Sequence, residues 1–334
     1  MTRGAFTFAP LGPVLTPDEA ALFRDGDPWG FIIFQRNCET PEQLRRLTGD
    51  LRDAVGWDAP VLIDQEGGRV QRMRAPHWRE FLPPLDQVEA FEDATRAARA
   101  MYLRGALIGS ELVAHGVDVN CAPSGDIAYD DTHAFLRNRC YGRNADTVTA
   151  MARACAEGLM DAGCLTVLKH APGHGRARVD SHKNLPRYDV ALADLEATDF
   201  APFRALADTG MAMTAHIVVP EIDPEAPITQ SAAGISYLRE TLGLTGLLMS
   251  DDVSMNALAG DVVTRGQAAL AAGCDLVLHC NGDAGEMAAI AEGFGRMTPE
   301  AAKRADVALA ARRTTRDIDI PALEAEFEAL MQGA

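Results

Sequence analysis

Residues 247–252, LLMSDD, form a short apolar run that ends in two adjacent carboxylates. Four other short runs end in an ionisable residue in the same way: VLID at 61–64, TVLKH at 166–170, MTAH at 213–216 and LVLH at 276–279. Short apolar runs that alternate with amphipathic stretches are typical of parallel strands joined by crossover helices. Ionisable residues at the same end of five strands therefore predict a functional site at the carboxyl edge of the sheet.

The same alternation extends through the whole chain. It predicts eight strands, at 11–15, 31–34, 61–64, 117–120, 166–169, 212–215, 247–250 and 276–279. It predicts helices at 41–55, 94–115, 145–162, 192–208, 262–272 and 284–294. We therefore expect an α/β protein with a single (β/α)8 TIM-type barrel in one domain, residues 1–334, with terminal helices from about 299. A doubly wound open sheet is the competing fold, but no Gly-x-Gly-x-x-Gly sequence follows the first strand.

Composition excludes several classes of partner. The 334 residues contain 48 acidic and 31 basic side chains, a net charge of -17, without the basic patch that nucleic-acid binding needs. No run of eighteen apolar residues predicts a membrane span. The N-terminus lacks an apolar signal core, and the seven cysteines contain no Cys-x-x-Cys pair. We expect a cytoplasmic monomer that binds neither nucleic acid nor membrane.

Two glycine-containing stretches follow predicted strands. In IDQEGGRVQRMR, residues 63–74, Asp64 can accept hydrogen bonds from ligand hydroxyls while an arginine donates to others. Glu66 is expected to support this site from behind, and the competing interpretation is a glycine turn with surface ion pairs. In KHAPGHG, residues 169–175, the glycines allow close approach of the backbone to a ligand. A phosphate-binding loop is a weaker interpretation, since no Gly-Lys-Ser/Thr sequence follows.

Two pairs of residues carry the predicted chemistry, an Asp-x-His pair and an Asp-Asp pair. In VDSHKNLP, residues 179–186, Asp180 lies two residues before His182 and can hydrogen-bond one ring nitrogen, leaving the other for proton transfer. An Asp-x-His pair by itself is more often structural. Of the adjacent residues Asp251 and Asp252, only one can point into the site. Asp251 is the better candidate for the site, and Asp252 the better helix N-cap.

Together four stretches resemble glycoside hydrolase family 3, in its single-domain bacterial β-N-acetylglucosaminidase branch. They are IDQEGGRVQRMR, KHAPGHG, VDSHKNLP and SDDVSM, and they occur in the family's order, with a resemblance from about residue 10 to 300. The resemblance implies a retaining mechanism with Asp251 as nucleophile and His182 as general acid/base, supported by Asp180. It also implies contacts to the N-acetylglucosamine unit from Asp64, Arg72, Arg139, Lys169 and His170.

The match is not uniform. Arg139 is assigned from HAFLRNRCYGRN, residues 133–144, where Arg137 and Arg143 lie close by. The branch usually has an acidic residue where this chain has Arg176, and an aromatic one where it has Ala171. Many larger relatives carry their acid on a second domain. This chain ends about eighty residues after Asp251, so we expect the acid to come from the barrel's own loops.

The resemblance implies hydrolysis of terminal N-acetylglucosamine from a small carbohydrate, such as a 1,6-anhydro-muropeptide in peptidoglycan recycling, without cofactor or metal. A metal-dependent hydrolase is one rival, although the expected His-x-His after the first strand is missing. Its candidate ligands would be His170, His174, His182, His216 and His279, with Asp64 and Asp251. A non-catalytic sugar-binding protein and a phosphorylase are two further rivals that the sequence leaves open.

Overall fold

The computed structural model describes residues 2–177, 185–312 and 318–333. Within these ranges, nine strands form one sheet in which every pairing is parallel. The strands are β1 (Gly4–Phe8), β2 (Pro28–Ile33), β3 (Val61–Ile63), β4 (Val119–Asn120), β5 (Leu165–Thr166), β6 (Leu168–Ala171), β7 (Met211–Thr214), β8 (Leu247–Asp252) and β9 (Leu276–His279). Their order is β5-β4-β3-β2-β1-β9-β8-β7-β6.

The strands at the two ends of this order, β5 and β6, are separated in the chain by Val167 alone. The Val167 amide donates to the carbonyls of Asn120 and Ala122, each at 3.0 Å. The Lys169 amide donates to the carbonyl of Pro123 at 3.1 Å, and the Gly125 amide donates to the Lys169 carbonyl at 2.7 Å. These bonds join β6 to the segment after β4, so the sheet is a nearly closed barrel. The predicted TIM-type class is confirmed.

Helices follow most strands and cover the outside of the barrel. They are α1 (Pro17–Gly26), α2 (Pro41–Val55), α3 (Pro84–Glu89), α4 (Ala94–Val113), α5 (Ala134–Arg137), α6 (Ala145–Asp161), α7 (Leu192–Ala197), α8 (Ala201–Ala205), α9 (Ala232–Ser236), α10 (Val262–Ala272), α11 (Ala284–Gly293), α12 (Pro299–Ala310) and α13 (Ile320–Gln332). Short 3₁₀ turns lie at Gln35–Asn37, Ala207–Thr209 and Ile228–Gln230, and a π-helical turn at Tyr237–Thr241. None of the helices in the described ranges is long and apolar enough to cross a membrane.

Two predicted elements are wrong. The first strand is Gly4–Phe8, whose five residues are all buried, and not 11–15, where Leu11 and Val14 are 46% and 63% exposed. Proline at 10 and 13 and glycine at 12 favour a turn over a hydrogen-bonded strand there. The single helix expected at 192–208 is broken after Ala197. Pro202, near the start of the next helix, has no amide hydrogen to continue the previous one.

The barrel interior is filled by alternate strand residues, because successive side chains point to opposite faces. Leu62, Met213, Met249 and Leu278 belong to one buried cluster that the small residues of α12 also join. Val61, Ile63 and Val277, the alternating positions, pack in a different cluster with the outer helices. This packed interior supports the polar residues that follow the strands.

Candidate active site

A cavity of about 200 Å³ lies at the carboxyl ends of the strands. All the predicted site residues that the structure describes line it: Asp64, Arg72, Arg139, Lys169, His170 and Asp251. Asp180 and His182, the predicted acid/base pair, lie outside the described residues. Phe34, Met213, Met255 and Leu278 add apolar walls that the motifs did not indicate.

The carboxylate of Asp64 is held between two cations. Lys169 Nζ lies 2.8 Å from Oδ1, and Arg72 Nη2 lies 2.7 Å from Oδ2. Burial by itself would raise the pKa of Asp64, but Lys169 and Arg72 together lower it well below its usual range. The Arg72 guanidinium also lies over the Phe34 ring, 5.0 Å from its centre. Asp64 is therefore ionised and fixed in orientation, as a hydrogen-bond acceptor for ligand hydroxyls must be.

Glu66 orients the two neighbouring cations from a position 2% exposed. Its oxygens accept a bidentate pair of bonds from Arg139, Nε and Nη2 at 2.8 Å each, and Lys169 Nζ lies 2.5 Å from Oε1. Burial would raise the pKa of Glu66, but Arg139 and Lys169 lower it to about 2. Burial would lower the pKa of Lys169, but Asp64 and Glu66 outweigh burial and raise it. Glu66 is thus a permanent anion that supports the site.

His170 is oriented by Asp126, a residue that the motifs did not indicate. The ring nitrogen Nδ1 lies 2.7 Å from Asp126 Oδ2, while Arg139 Nη2 lies 3.4 Å from Nε2. Because a guanidinium can only donate, these contacts favour a hydrogen on Nδ1 that is donated to Asp126. Burial opposes ionisation of Asp126, but His170 lowers its pKa to about 2. Asp126 lies six residues after the end of β4. A search for ionisable residues directly after strands therefore does not identify it.

Asp251, the predicted nucleophile, is the penultimate residue of β8 and lines the cavity. Its Oδ1 accepts the backbone N–H of Asp252 at 2.8 Å. Burial would raise the pKa of Asp251, but His170 and His216 outweigh it, and the net shift is downward. The carboxylate is therefore ionised at neutral pH, which is the form that can act as a nucleophile.

The other strand-end residues mainly brace the rim. Asp252 Oδ1 accepts the amides of Ser254 at 3.0 Å and Cys280 at 3.2 Å, which ties the ends of β8 and β9 together. Asp252 is not the helix N-cap we expected, since Asp261 caps α10. His216 lies 3.1 Å from the Asp252 carbonyl, and His279 is paired with Glu286 at 2.8 Å. Neither histidine lines the cavity.

Among the described residues, no group of three or more His, Cys, Asp or Glu side chains is arranged to hold a metal ion. The cysteines at 38, 121, 140, 155, 164, 274 and 280 are all unpaired thiols. Several polar groups of the cavity are paired as hydrogen-bond donors and acceptors: Asp64 with Lys169 and Arg72, Arg139 with Glu66, and His170 with Asp126. An ionised carboxylate beside a polar pocket at the carboxyl end of a barrel is typical of an enzyme that acts on a hydroxyl-rich ligand.

Comparisons with known proteins identify the family. The model described as "Glycosyl hydrolase family 3 N terminal domain" matches residues 17–312. A β-hexosaminidase of Chromobacterium violaceum is 37% identical over 287 residues, 84% of this chain and 80% of that protein. Native NagZ from Neisseria gonorrhoeae superimposes with a TM-score of 0.85 at 31% identity, over 99% of this chain and 97% of NagZ. The complex of NagZ from Neisseria gonorrhoeae with N-trifluoroacetyl-D-glucosamine superimposes with a TM-score of 0.85 at 30% identity, over 100% of this chain and 97% of NagZ.

The chain therefore belongs to glycosyl hydrolase family 3 and is a glycosidase. This confirms the family and the enzyme class that the four motifs predicted. The residue roles that the resemblance implied stay predictions.

Proposed function

We propose that this protein is a retaining β-N-acetylglucosaminidase that removes a terminal, non-reducing N-acetylglucosamine unit. The observation that carries the proposal is the joint lining of one cavity by Asp251 and the five predicted sugar-binding residues. The names of the β-hexosaminidase relatives and the glucosamine derivative in the related NagZ complex support an amino sugar as the substrate.

In this proposal Asp251 attacks the anomeric carbon and forms a covalent glycosyl-enzyme, which water then hydrolyses with retention of configuration. Its lowered pKa keeps the carboxylate ionised for the attack. His182 protonates the departing oxygen and then activates the water, and Asp180 orients the imidazole. The ordinary pKa of histidine, about 6.5, suits both steps near neutral pH.

The sugar is held by charge-assisted hydrogen bonds. Asp64 accepts bonds from sugar hydroxyls, while Arg72, Arg139 and Lys169 donate to sugar oxygens. His170, whose Nδ1–H is donated to Asp126, accepts a sugar hydroxyl at Nε2. Glu66 already holds Arg139 and Lys169, Asp126 holds His170, and Asp64 holds Arg72, so little reorganisation is needed when the sugar binds. Glu66 is the next candidate for the acid after His182, but a pKa near 2 leaves it without a proton to donate.

The finer substrate and setting rest on the sequence resemblance. We propose a 1,6-anhydro-muropeptide as the natural substrate, in cytoplasmic peptidoglycan recycling, with the protein acting as a monomer and without metal or cofactor. The cavity offers cations, Arg72 and Arg139 among them, beside its carboxylates. Arg72 and Arg139 are already paired with Asp64 and Glu66, so the muropeptide is proposed on the sequence resemblance alone.

The test measures kcat/KM on aryl N-acetyl-β-glucosaminides whose leaving groups have graded pKa values. Asp251→Ala should abolish glycosyl-enzyme formation with every leaving group. His182→Ala should lose most activity on poor leaving groups, because these need protonation, and Asp180→Ala should show the same trend more weakly. Equal fractional loss of activity across the series would show that His182 is not the acid.

The adjacent carboxylate provides the control for Asp251. Asp252→Asn should still form the glycosyl-enzyme, because this side chain bonds the amides of Ser254 and Cys280. Trapping of the intermediate by mass spectrometry distinguishes the two variants. An intermediate that forms in Asp251→Ala but not in Asp252→Asn would reverse the assignment.

A further inference from the structure

His174 is a polar side chain that lines the cavity and that the proposed mechanism does not use. It is 2% exposed, and neither Nδ1 nor Nε2 has a hydrogen-bond partner among the residues that the structure describes. A neutral imidazole carries one donor and one acceptor. Leaving such groups unsatisfied in a buried position costs about 1–3 kcal/mol each, so their presence needs an explanation.

The position of the ring is fixed by its neighbours. The backbone N–H of His174 donates to Asp126 Oδ1 at 2.6 Å, the same carboxylate whose other oxygen orients His170. The ring packs edge-to-face against Phe135 and against His170, with centroid distances of 5.8 Å in both cases. Asp126 therefore sets the position of both histidines.

Packing alone does not require an imidazole here. A phenyl ring could make the same edge-to-face contacts without carrying unsatisfied nitrogen atoms into the site. Burial, with a contribution from the neighbouring His170, lowers the pKa of His174 to about 4. The ring is thus neutral at physiological pH and can both donate and accept a hydrogen bond. It differs in this from Arg72 and Lys169, which only donate, and from Asp64, which only accepts.

We propose that His174 is a sugar-binding residue of this glycosidase, whose neutral imidazole hydrogen-bonds the N-acetylglucosamine unit held in the cavity. The inference rests on the proposed function for the identity of the sugar. No described residue bonds the two nitrogens of His174, and the sugar supplies their partners. Binding and stability should therefore respond to a substitution in opposite directions.

The experiment compares His174→Phe and His174→Gln with the wild-type protein. The Phe variant keeps the ring contacts and loses both nitrogens, whereas the Gln variant keeps a donor and an acceptor. His77→Gln, at an exposed position, is the matched control. The Kd for N-acetylglucosamine is measured by calorimetry, and Tm is measured with and without saturating sugar.

In His174→Phe we expect the Kd to rise roughly 5- to 50-fold. The Tm of the sugar-free variant should equal or exceed that of the sugar-free wild type. Saturating sugar should raise the Tm of the variant by less than it raises the Tm of the wild type. His174→Gln should bind more tightly than His174→Phe, and His77→Gln should match the wild type. An unchanged Kd in His174→Phe, or a lowered Tm of the free form with unchanged binding, would overturn the inference and leave the proposed function intact. Failure of the wild-type protein to bind the sugar would overturn both.

Discussion

Substituting Glu66 by glutamine tests whether this buried carboxylate is a permanent anion. The pKa of Glu66 falls from 4.5 to about 2 because Arg139 and Lys169 outweigh burial. One pKa unit corresponds to about 1.4 kcal/mol, so the ionised form stabilises the folded state by about 3 kcal/mol. The side chain is only 2% exposed, which leaves little solvent screening. Glu66→Gln should therefore lower the free energy of unfolding by about 3 kcal/mol at pH 7.

The pH dependence has a definite sign. The folded-state pKa lies below the unfolded one, so the stabilisation is present above pH 4.5 and is lost as the pH falls toward 2. The difference between wild type and variant should thus shrink to about 1.4 kcal/mol at pH 3. Urea unfolding at pH 7, 5 and 3 measures it. The control is Glu89→Gln, whose partner Arg143 and own side chain are 41% and 43% exposed. An exposed pair should contribute less than about 1 kcal/mol.

Activity gives a second measurement on the same variant. Without the anion, Arg139 loses its bidentate acceptor and Lys169 loses one of its two carboxylates. The kcat/KM of Glu66→Gln should fall by the same factor for every leaving group, since sugar binding is affected rather than proton transfer. A stability difference below about 1 kcal/mol at pH 7 would refute the argument from burial and charge. A loss of activity confined to poor leaving groups would make Glu66 the acid.

Two further predictions concern the supports of the site. Asp126→Asn should lower kcat/KM roughly 10- to 100-fold, because it weakens a charge-assisted bond to His170. Asp126 has a pKa near 2, so this loss of kcat/KM should persist down to about pH 4. An unchanged kcat/KM in Asp126→Asn would contradict the role assigned to Asp126. Arg176→Met should lower the free energy of unfolding by about 1–3 kcal/mol, because Arg176 Nε bonds the buried Asp199 at 2.6 Å. Urea unfolding should show a smaller effect for Arg187→Met, whose guanidinium bonds only a carbonyl in the described residues, and equal effects would refute the role of Arg176.

The sequence predicted the barrel well because its strands are short, apolar and followed by ionisable residues. The strand 276–279 and the helices 41–55 and 262–272 have the predicted bounds. The first strand was misplaced because the apolar residues at 11, 14 and 15 resemble a short strand as closely as GAFTF at 4–8 does. Local periodicity cannot show that residues 4–8 lie between β2 and β9, since that pairing joins distant parts of the chain.

The site could be predicted only as far as motifs and strand ends reach. Asp64, Lys169 and Asp251 lie at strand ends and line the cavity. Asp126 was missed because it lies neither in a motif nor at a strand end. Its bond to His170 spans 44 positions, and the pairing of Glu66 with Arg139 spans 73. His279 obeys the strand-end rule and yet is paired with Glu286 of α11. The face toward which a strand-end side chain turns depends on tertiary packing.

The junction between β5 and β6 has a consequence for cooperativity. Lys169 and His170 belong to β6, and the backbone of Lys169 is bonded on both sides to the segment that joins β4 to Asp126. Local opening of the barrel at Val167 would therefore separate Asp126 from His170 and Lys169 from Asp64. A ligand that needs all four residues binds only the closed barrel, so its binding energy adds directly to the free energy of opening at this junction. Substrate concentration and barrel integrity are thus thermodynamically linked, and the junction between β5 and β6 is stabilised by the molecule that the enzyme consumes.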